Sequence, residues 1–284
     1  MDNTKKLQHF ILTRFNLRLW NKDKSGEAVR SKKWLDHRFD LFERYCLPSI
    51  CGQTYKDFGW IVLFDSTTPS HFKDKIEGYK QECPQLIPVF VEPEQGRYFA
   101  DIFRREVISR LSARRVITTY LDNDDALNVK FVEDVRKRAL TLNDGTFINY
   151  THGCQLYTDH NYMMMVCNRR NHFVSVVESG IPSILKTVYG YGSHYYIDKI
   201  RGARIEYVKN TPMWCEVIHE KNMDNDAYFL FGSKTVEDKD YIRNNFAIEQ
   251  TLNTRCGIYL FQFLPRYIRV FLRRIKYYFF GRHW

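Results

Sequence analysis

The sequence predicts a single α/β domain with a mostly parallel sheet, followed by a basic tail. Short apolar runs alternate with longer amphipathic ones through the first two-thirds of the chain, which is typical of strands and helices in such a sheet. The chain has 284 residues, and 44% of them are hydrophobic, enough to fill a substantial core. Because no internal repeat or low-complexity linker divides it, we expect one domain over residues 1–257 and a tail over 258–284.

Each predicted strand is a short apolar run, and each predicted helix has apolar residues three or four positions apart. The expected strands are His9–Thr13, Trp60–Phe64, Ile87–Val91, Val116–Leu121 and Thr146–Tyr150. The expected helices between them are Trp34–Cys51, His71–Glu82, Phe99–Leu111 and Val129–Leu142. Glycine, asparagine, histidine and tyrosine interrupt the apolar runs of residues 151–208, which predicts irregular α+β structure with small strands.

Charge and cysteine content indicate which kind of partner and which cellular compartment to expect. A net charge of +10 indicates an anionic partner, and residues 258–284 contribute strongly because they contain six basic and no acidic side chains. Seven scattered cysteines without a Cys-x-x-Cys pair argue against a disulfide framework or thiolate zinc site and favour a reducing compartment. The polar N-terminus does not resemble a signal peptide, and no run is long enough to span a membrane, so we expect a cytoplasmic protein.

The tail is predicted to form an amphipathic helix over Pro265–Phe280. Its basic side places four side chains at helical spacing, and its other side is apolar and aromatic. The basic residues are Arg266, Arg269, Arg273 and Lys276, and the apolar residues are Ile268, Phe271, Leu272, Ile275 and Phe279. Such a helix can lie on an anionic membrane, so we expect it to hold the protein peripherally at the inner face of the cell membrane. The alternative is a helix that packs on the α/β domain.

An acidic loop follows the predicted strand Val116–Leu121. Asp122, Asn123, Asp124 and Asp125 place three carboxylates within four residues, which repel one another unless a cation or hydrogen-bond donors offset their charge. Mg²⁺ or Mn²⁺ prefers oxygen ligands and commonly takes one or two carboxylates together with substrate phosphates. The loop therefore predicts a divalent metal site at the carboxyl end of the sheet, where ligands bind in open parallel sheets. Alternatively, Asp124 or Asp125 caps the helix that starts near Asn128.

Two motifs resemble those of GT-A glycosyltransferases. Residues 46–58 form a helix ending in Ser-Ile-x-x-Gln-Thr, and residues 60–65 form a strand ending in Asp, as in the N-terminal signature of that superfamily. Residues 120–127 resemble its Asp-x-Asp motif in the extended Asp-x-Asp-Asp form. With the runs 10–16, 34–38 and 214–222, these motifs are most similar to a bacterial rhamnosyltransferase family, from about His9 to about Asn225.

The resemblance implies a GT-A fold, Rossmann-like, with helices on both faces of the sheet. It implies an enzyme that moves a sugar, with rhamnose as the named candidate, from a nucleotide-diphosphate sugar to a surface-polysaccharide or lipid-linked glycan acceptor. Thr13 and Arg14 would line the nucleotide pocket, and Asp65 would contact the base or ribose. The alternative for Asp65 is a turn-forming residue before Ser-Thr-Thr-Pro.

The resemblance also implies a metal set of Asp122, Asp124 and His219. Asp124 would be the most direct ligand of the ion that bridges the diphosphate, and Asp122 would reach the ribose or a metal-bound water. His219 lies where relatives complete the metal sphere late in the chain, although a lone histidine is more often structural. Arg104 would contact the diphosphate, unless it is a solvated helix residue.

The general base is less well defined because the Glu-Asp pair common in relatives is absent before Asp198. Asp198 and His194 are the nearest candidates, and Asp125 could assist or bind the acceptor. The alternative for Asp198 and His194 is an ordinary surface role.

Two other functions remain open at this stage. A metal-dependent nucleotidyltransferase also needs clustered carboxylates, but these usually lie on adjacent strands, and Gln53-Thr54 would be unexplained. A basic nucleic-acid-binding protein would explain the charge, but no helix-turn-helix, zinc-finger or RNA-recognition signature is present, so we expect no nucleic acid partner.

Overall fold

A computed structural model of the chain describes residues 7–20, 28–209, 211–219 and 233–254, together with residues 268, 271, 272 and 275. Twelve strands are found in these ranges. They are β1 (Gln8–Arg14), β2 (Gly59–Asp65), β3 (Leu86–Val91), β4 (Arg115–Tyr120), β5 (Ala126–Leu127), β6 (Thr146–Tyr150), β7 (His152–Tyr157), β8 (Tyr162–Cys167), β9 (Val174–Ser179), β10 (Arg204–Val208), β11 (Trp214–Ile218) and β12 (Lys234–Thr235).

The helices include the four predicted ones, most of whose ends agree to within a few residues, and one further short helix near residue 245 that was not predicted. They are α1 (Lys32–Leu41), α2 (Leu47–Cys51), α3 (Ser70–Glu82), α4 (Phe99–Ser109), α5 (Phe131–Ala139) and α6 (Tyr241–Phe246). The predicted helix Trp34–Cys51 is one continuous helical stretch that widens to π-helical geometry over Phe42–Cys46. Pro48 follows this stretch, and because proline lacks an amide hydrogen and crowds the preceding turn, a local widening of the helix accommodates it.

The main sheet has seven strands in the order β10-β6-β9-β4-β1-β2-β3. Strands β4, β1, β2 and β3 run parallel to one another, as do β6 and β10. The α/β class with a mostly parallel sheet is therefore confirmed. Strand β9 is the exception, since it is antiparallel to both β4 and β6. The sequence predicted only small irregular strands in residues 151–208, but β9 lies in the middle of the sheet.

Alternating side chains of the central strands fill a core on each face of this sheet. On one face, Ile11 and Trp60 pack with residues of α1, α3 and α5. On the other face, Leu12 and Ile61 pack with residues of α4. Because successive side chains of a strand point to opposite faces, the strands are apolar on both sides, as the continuous apolar runs in the sequence require. Helices on both faces are thus confirmed.

A second sheet of five strands, in the order β12-β8-β7-β11-β5, extends from the end of β4. Its strand β5 begins immediately after the acidic loop, and β11 pairs with β5 and with β7. Gly153 of β7 lies directly against the ring of Trp214, where a Cβ atom would fall 2.0 Å from the ring. The acidic loop therefore connects the two sheets and is held from both sides.

Only four residues of the tail are among those described. Ile268, Phe271, Leu272 and Ile275 are helical, and between 38% and 55% of each side chain is exposed. The remainder of the predicted tail helix lies outside the described residues. Within the described part of the chain, no helix has the length and apolar character needed to cross a membrane.

Candidate active site

An open cavity of about 750 Å³ lies at the carboxyl end of the main sheet, beside the acidic loop. Its walls come from the ends of β1 and β4, from α1, and from two later segments of the chain. The charged and polar side chains that line it are Arg14, Arg38, Asp122, Asn123, Asp124, His172, Ser193 and His194, and the aromatic ones are Phe15, Trp20, Trp34, Phe99, Tyr120, Tyr189 and Tyr195. This is the edge at which open parallel sheets bind ligands.

The Gln53-Thr54 motif fixes the far end of the acidic loop. The Gln53 amide donates to the carbonyl of Asn128 at 2.8 Å and accepts from the amide of Val132 at 3.0 Å. The amide of Thr54 donates to the carbonyl of Val129 at 2.8 Å. The motif thus joins the end of α2 to the start of α5, which follows the acidic loop and β5 in the chain.

Asp122 carries the most accessible carboxylate of the loop, with 34% of its side chain exposed. The hydroxyl of Tyr120 donates to Asp122 at 3.0 Å, and Arg14 donates to that hydroxyl at 2.7 Å. The Arg14 guanidinium also lies 4.7 Å from the ring centroid of Phe99 and 5.2 Å from that of Tyr189. These contacts hold a permanent positive charge beside the carboxylate at the cavity wall.

Asp124 is buried and forms an ion pair with Arg38 at 2.6 Å. His219 contacts the same oxygen, Oδ2, at 3.0 Å. Burial alone would raise the pKa of Asp124, but Arg38 and His219 outweigh it and hold that pKa well below its usual range. Arg38 also contacts Asn123, whose amide donates to the carbonyl of Phe15 at 2.7 Å. The structure therefore brings the predicted pair Asp124 and His219 together with Arg38, which had not been assigned to the site from the sequence.

Asp125 is completely buried and bonds to two distant segments. One oxygen accepts from His172 Nε2 at 2.7 Å, and the other accepts from the amide of Val217 at 2.8 Å. Burial raises the pKa of Asp125. Burial would lower the pKa of His172, but the hydrogen bond to Asp125 raises it above its usual range. Sequence reasoning missed His172, because it lies in the irregular segment before β9 and has no recognisable motif around it.

Among the described residues, Asp122, Asp125 and His172 form a group that could hold a metal ion, with ligand atoms all within 4.8 Å of one another. Carboxylate oxygens and an imidazole nitrogen are ligands that Mn²⁺ and Mg²⁺ sites use, so this donor set fits such an ion. Asp122 belongs to both this group and the predicted set. Neither Asp124 nor Asp125 caps α5: its first turn is bonded instead by Asn128 and Gln53.

Three predicted nucleotide-site residues do not line the cavity. Thr13 is buried and accepts a hydrogen bond from Trp60 at 2.9 Å. Asp65 is the buried last residue of β2, and it pairs with Arg18 at 3.0 Å. It also accepts from the amide of Thr67 at 2.8 Å, as in the turn-forming alternative. Arg104 donates to the carbonyls of residues 182 and 185, so it braces a loop.

The two candidates for the general base lie on one short 3-10 helix, His194–Lys199. His194 lines the cavity, and burial, together with the charge of nearby His172 and Arg14, lowers its pKa to about 3. Asp198 lies farther out and pairs with Arg170 at 2.7 Å. Both assignments as base remain predictions.

A family model described as "Putative rhamnosyl transferase" matches residues 11–228. The crystal structure of S. aureus TarS residues 1–349 in complex with UDP shares 10% identity with it, over 75% of this chain and 61% of that one, with a TM-score of 0.44. A structure of S. aureus TarS shares 11% identity over 75% of this chain and only 37% of that one, with a TM-score of 0.39.

A crystal structure of 4-diphosphocytidyl-2C-methyl-D-erythritol synthase shares 11% identity, over 72% of this chain and 89% of that one, with a TM-score of 0.33. The chain thus spans less than two thirds of the TarS structures that it resembles. No curated protein matches it in sequence.

Proposed function

The chain belongs to the rhamnosyl transferase family matched over residues 11–228, as its motifs indicated, and from that premise we propose that it moves a sugar from a nucleotide-diphosphate sugar to a glycan or lipid-linked acceptor. This family membership confirms the prediction that the chain is a glycosyltransferase. The observation that carries the proposal is the set of charged side chains around one open cavity: Asp122 and Asp124 lie on its wall, and Arg14 and Arg38 lie beside them. Rhamnose, the sugar in the family's name, is the proposed group transferred.

The donor diphosphate would bind between the end of β1 and the acidic loop. Arg14 supplies a fixed positive charge there, and its hydrogen bond to Tyr120 and its ring contacts leave it little freedom to turn away. A preoriented cation stabilises the negative charge that develops on a departing diphosphate, without reorganising as the bond breaks. The aromatic and apolar residues at 15–20 and 34 would cover the base and exclude water.

A divalent ion, Mn²⁺ or Mg²⁺, would be held by Asp122, Asp125 and His172. The set predicted from the sequence, Asp122, Asp124 and His219, is the alternative. Such an ion, when bound, would offset the charge on the diphosphate. Within the first group, Asp125 orients the imidazole of His172, because its other oxygen is fixed by a backbone amide. Asp122 is only partly buried and can reach both the ion and the substrate.

Calorimetric titration with uridine, thymidine and guanosine diphosphates, with and without Mn²⁺, tests this proposal. We expect Mn²⁺-dependent binding of at least one of them, weakened about tenfold in Asp122→Asn. Asp144→Asn is the matched control, because that carboxylate is exposed and pairs with Arg115 outside the cavity. Equal affinity with and without Mn²⁺ would contradict the proposed metal site. If no diphosphate binds, the proposal of a nucleotide-sugar donor is wrong.

The two candidate metal sets can be separated with His172→Gln and His219→Gln. Loss of metal dependence in the first variant alone would assign the ion to the group with Asp125. Loss in the second alone would assign it to the pair with Asp124. Equal behaviour of both variants and the unmodified chain would exclude a histidine ligand.

We further propose that the tail binds an anionic membrane surface and brings the enzyme to lipid-linked acceptors. The exposed apolar residues Ile268, Phe271, Leu272 and Ile275 are each helical and fall three and four positions apart, and in the sequence the basic residues of the tail alternate with them. Removal of the residues after Gly257 should abolish sedimentation with phosphatidylglycerol liposomes. Continued sedimentation would show that the membrane contact lies elsewhere.

A further inference from the structure

Two small cavities, each of about 10 Å³, adjoin the main cavity at His194. The first lies against Asn171, His172 and Trp214, and the second lies between Asn149, Arg169 and Tyr207. His194 lines all three cavities, and Arg170 lines both small ones. They therefore form a series around His194, and their lining residues extend from the candidate metal group to Arg169 and Arg170.

The outer end of this series is strongly basic. Residues 168–209 contain seven lysines and arginines against three acids. Two of these acids are engaged with other groups: Glu178 accepts from backbone amides at 3.0 Å, and Glu206 pairs with Arg138 at 2.8 Å. Asp198 pairs with Arg170. Within the described ranges, no ion pair joins an acid to Arg169, Arg201 or Arg204, so this surface carries uncompensated positive charge.

Aromatic rings lie beside these cations. The Arg169 guanidinium lies 5.3 Å from the ring centroid of Tyr207, and the Lys199 ammonium lies 4.9 Å from that of Tyr196. Tyr195 is 37% exposed and Tyr196 is 57% exposed. An aromatic face packs against the apolar face of a sugar ring, and an arginine binds carboxylate or phosphate oxygens with two parallel hydrogen bonds. Rings next to guanidinium groups therefore suit a sugar chain that carries negative charge.

We propose that the acceptor is an anionic glycan, a sugar chain bearing carboxylate or phosphate groups, and that Arg169 binds those groups together with the exposed part of Arg170, which also pairs with Asp198. Its acceptor hydroxyl would then lie in the main cavity beside His172 and His194. This inference rests on the proposed glycosyltransferase function and narrows the class of its acceptor. The basic surface recognises the substrate by charge before the hydroxyl reaches the reacting centre.

Calorimetric titration with four glycans of similar length tests the proposal. Trigalacturonate and a phosphorylated maltotriose are the anionic probes, and methyl-esterified trigalacturonate and maltotriose are their neutral counterparts. We expect the chain to bind at least one anionic probe about tenfold more tightly than its neutral counterpart at moderate salt, since arginines at a partly exposed site supply the difference. The comparison between the two anionic probes tells a carboxylate acceptor from a phosphate acceptor.

Two double variants that remove the same number of positive charges test whether Arg169 and Arg170 cause the preference for anionic glycans. Arg169→Ala with Arg170→Ala should remove most of this preference. Arg44→Ala with Arg110→Ala removes the same charge from pairs within α1–α2 and α4, distant in the fold from the series of cavities, and should keep the preference. Thermal unfolding of both variants checks that each is folded. Equal affinity for charged and neutral glycans, including no detectable affinity for any, would overturn the proposal, as would an equal loss in the two double variants.

Nucleoside diphosphate binding with Mn²⁺ is measured on the same preparations. If diphosphates bind and no anionic preference is found, only the acceptor class is wrong. If diphosphates do not bind either, the proposed function fails with it.

Discussion

Replacing Arg38 with methionine removes the cation that compensates Asp124 beside the cavity. Only 9% of each side chain is exposed, so the pair is nearly dry. Removing one partner of a buried ion pair commonly costs about 3–5 kcal/mol, because the other charge stays buried. Asp124 keeps its contact with His219 and borders the cavity, so we expect the lower end, about 3 kcal/mol of unfolding free energy.

The double variant Arg38→Met/Asp124→Asn has no uncompensated charge at this pair. We therefore expect it to lose less stability than the two single variants together, with a coupling energy of about 2 kcal/mol. Mn²⁺ should stabilise Arg38→Met more than the unmodified chain if the ion binds near Asp124, because it would replace the missing positive charge.

Urea unfolding followed by tryptophan fluorescence measures these free energies. Arg44→Met is the control, since its pair with Asp40 is half-exposed at 3.5 Å and should contribute less than about 1 kcal/mol. Equal losses in Arg38→Met and Arg44→Met would refute the argument that burial makes the Asp124 pair important. A coupling energy near zero would show that the two side chains act independently.

Three further substitutions test other parts of the structure. Burial lowers the pKa of His9 from 6.5 to about 3, so protonation of this side chain favours the unfolded chain. The unfolding free energy, measured by urea titration, should therefore fall by about 2 kcal/mol between pH 6.5 and pH 5. The fall should be smaller in His9→Gln. Gly153→Ala should lower stability by about 3 kcal/mol because its Cβ would meet Trp214, whereas Gly78→Ala, with open space in α3, should raise it slightly in the same assay. Tyr120→Phe removes the hydroxyl between a guanidinium and a carboxylate, and calorimetry should show roughly fivefold weaker diphosphate binding. Stability should fall by about 1 kcal/mol, because Arg14 loses a hydrogen-bond partner.

The first half of the fold could be predicted because its strands and helices differ clearly in period. Strands β1, β2 and β3 are apolar on both faces, and the helices between them have apolar residues on one side. The position of β9 could not be predicted, because it depends on pairing with β4 and β6 and not on any local pattern. Strand β11 appeared in the sequence only as part of a family motif, since a five-residue buried strand has no distinctive period.

The same limit applies to the site. The acidic loop was predicted because three carboxylates adjoin in sequence, and Asp124 and His219 do lie together. Arg38 and His172 come from positions far from the loop, and their roles arise only when the fold brings them to it. The run Trp34 to Arg38 was part of the family resemblance, and this was the one sequence signal that could have identified Arg38 as a charge partner of the acidic loop.

The location of β9 also constrains synthesis of the chain. Strand β6 has β9 and β10 as its neighbours in the main sheet, and both follow it in sequence. From Tyr150 to Ser179 a ribosome adds 29 residues, which takes about 1.5–6 s at about 5–20 residues per second. Throughout that interval β4 and β6 each present an unpaired apolar edge to the solvent. Substitutions that slow the docking of β9 should therefore reduce the yield of folded protein during translation, even where the finished molecule is as stable as before.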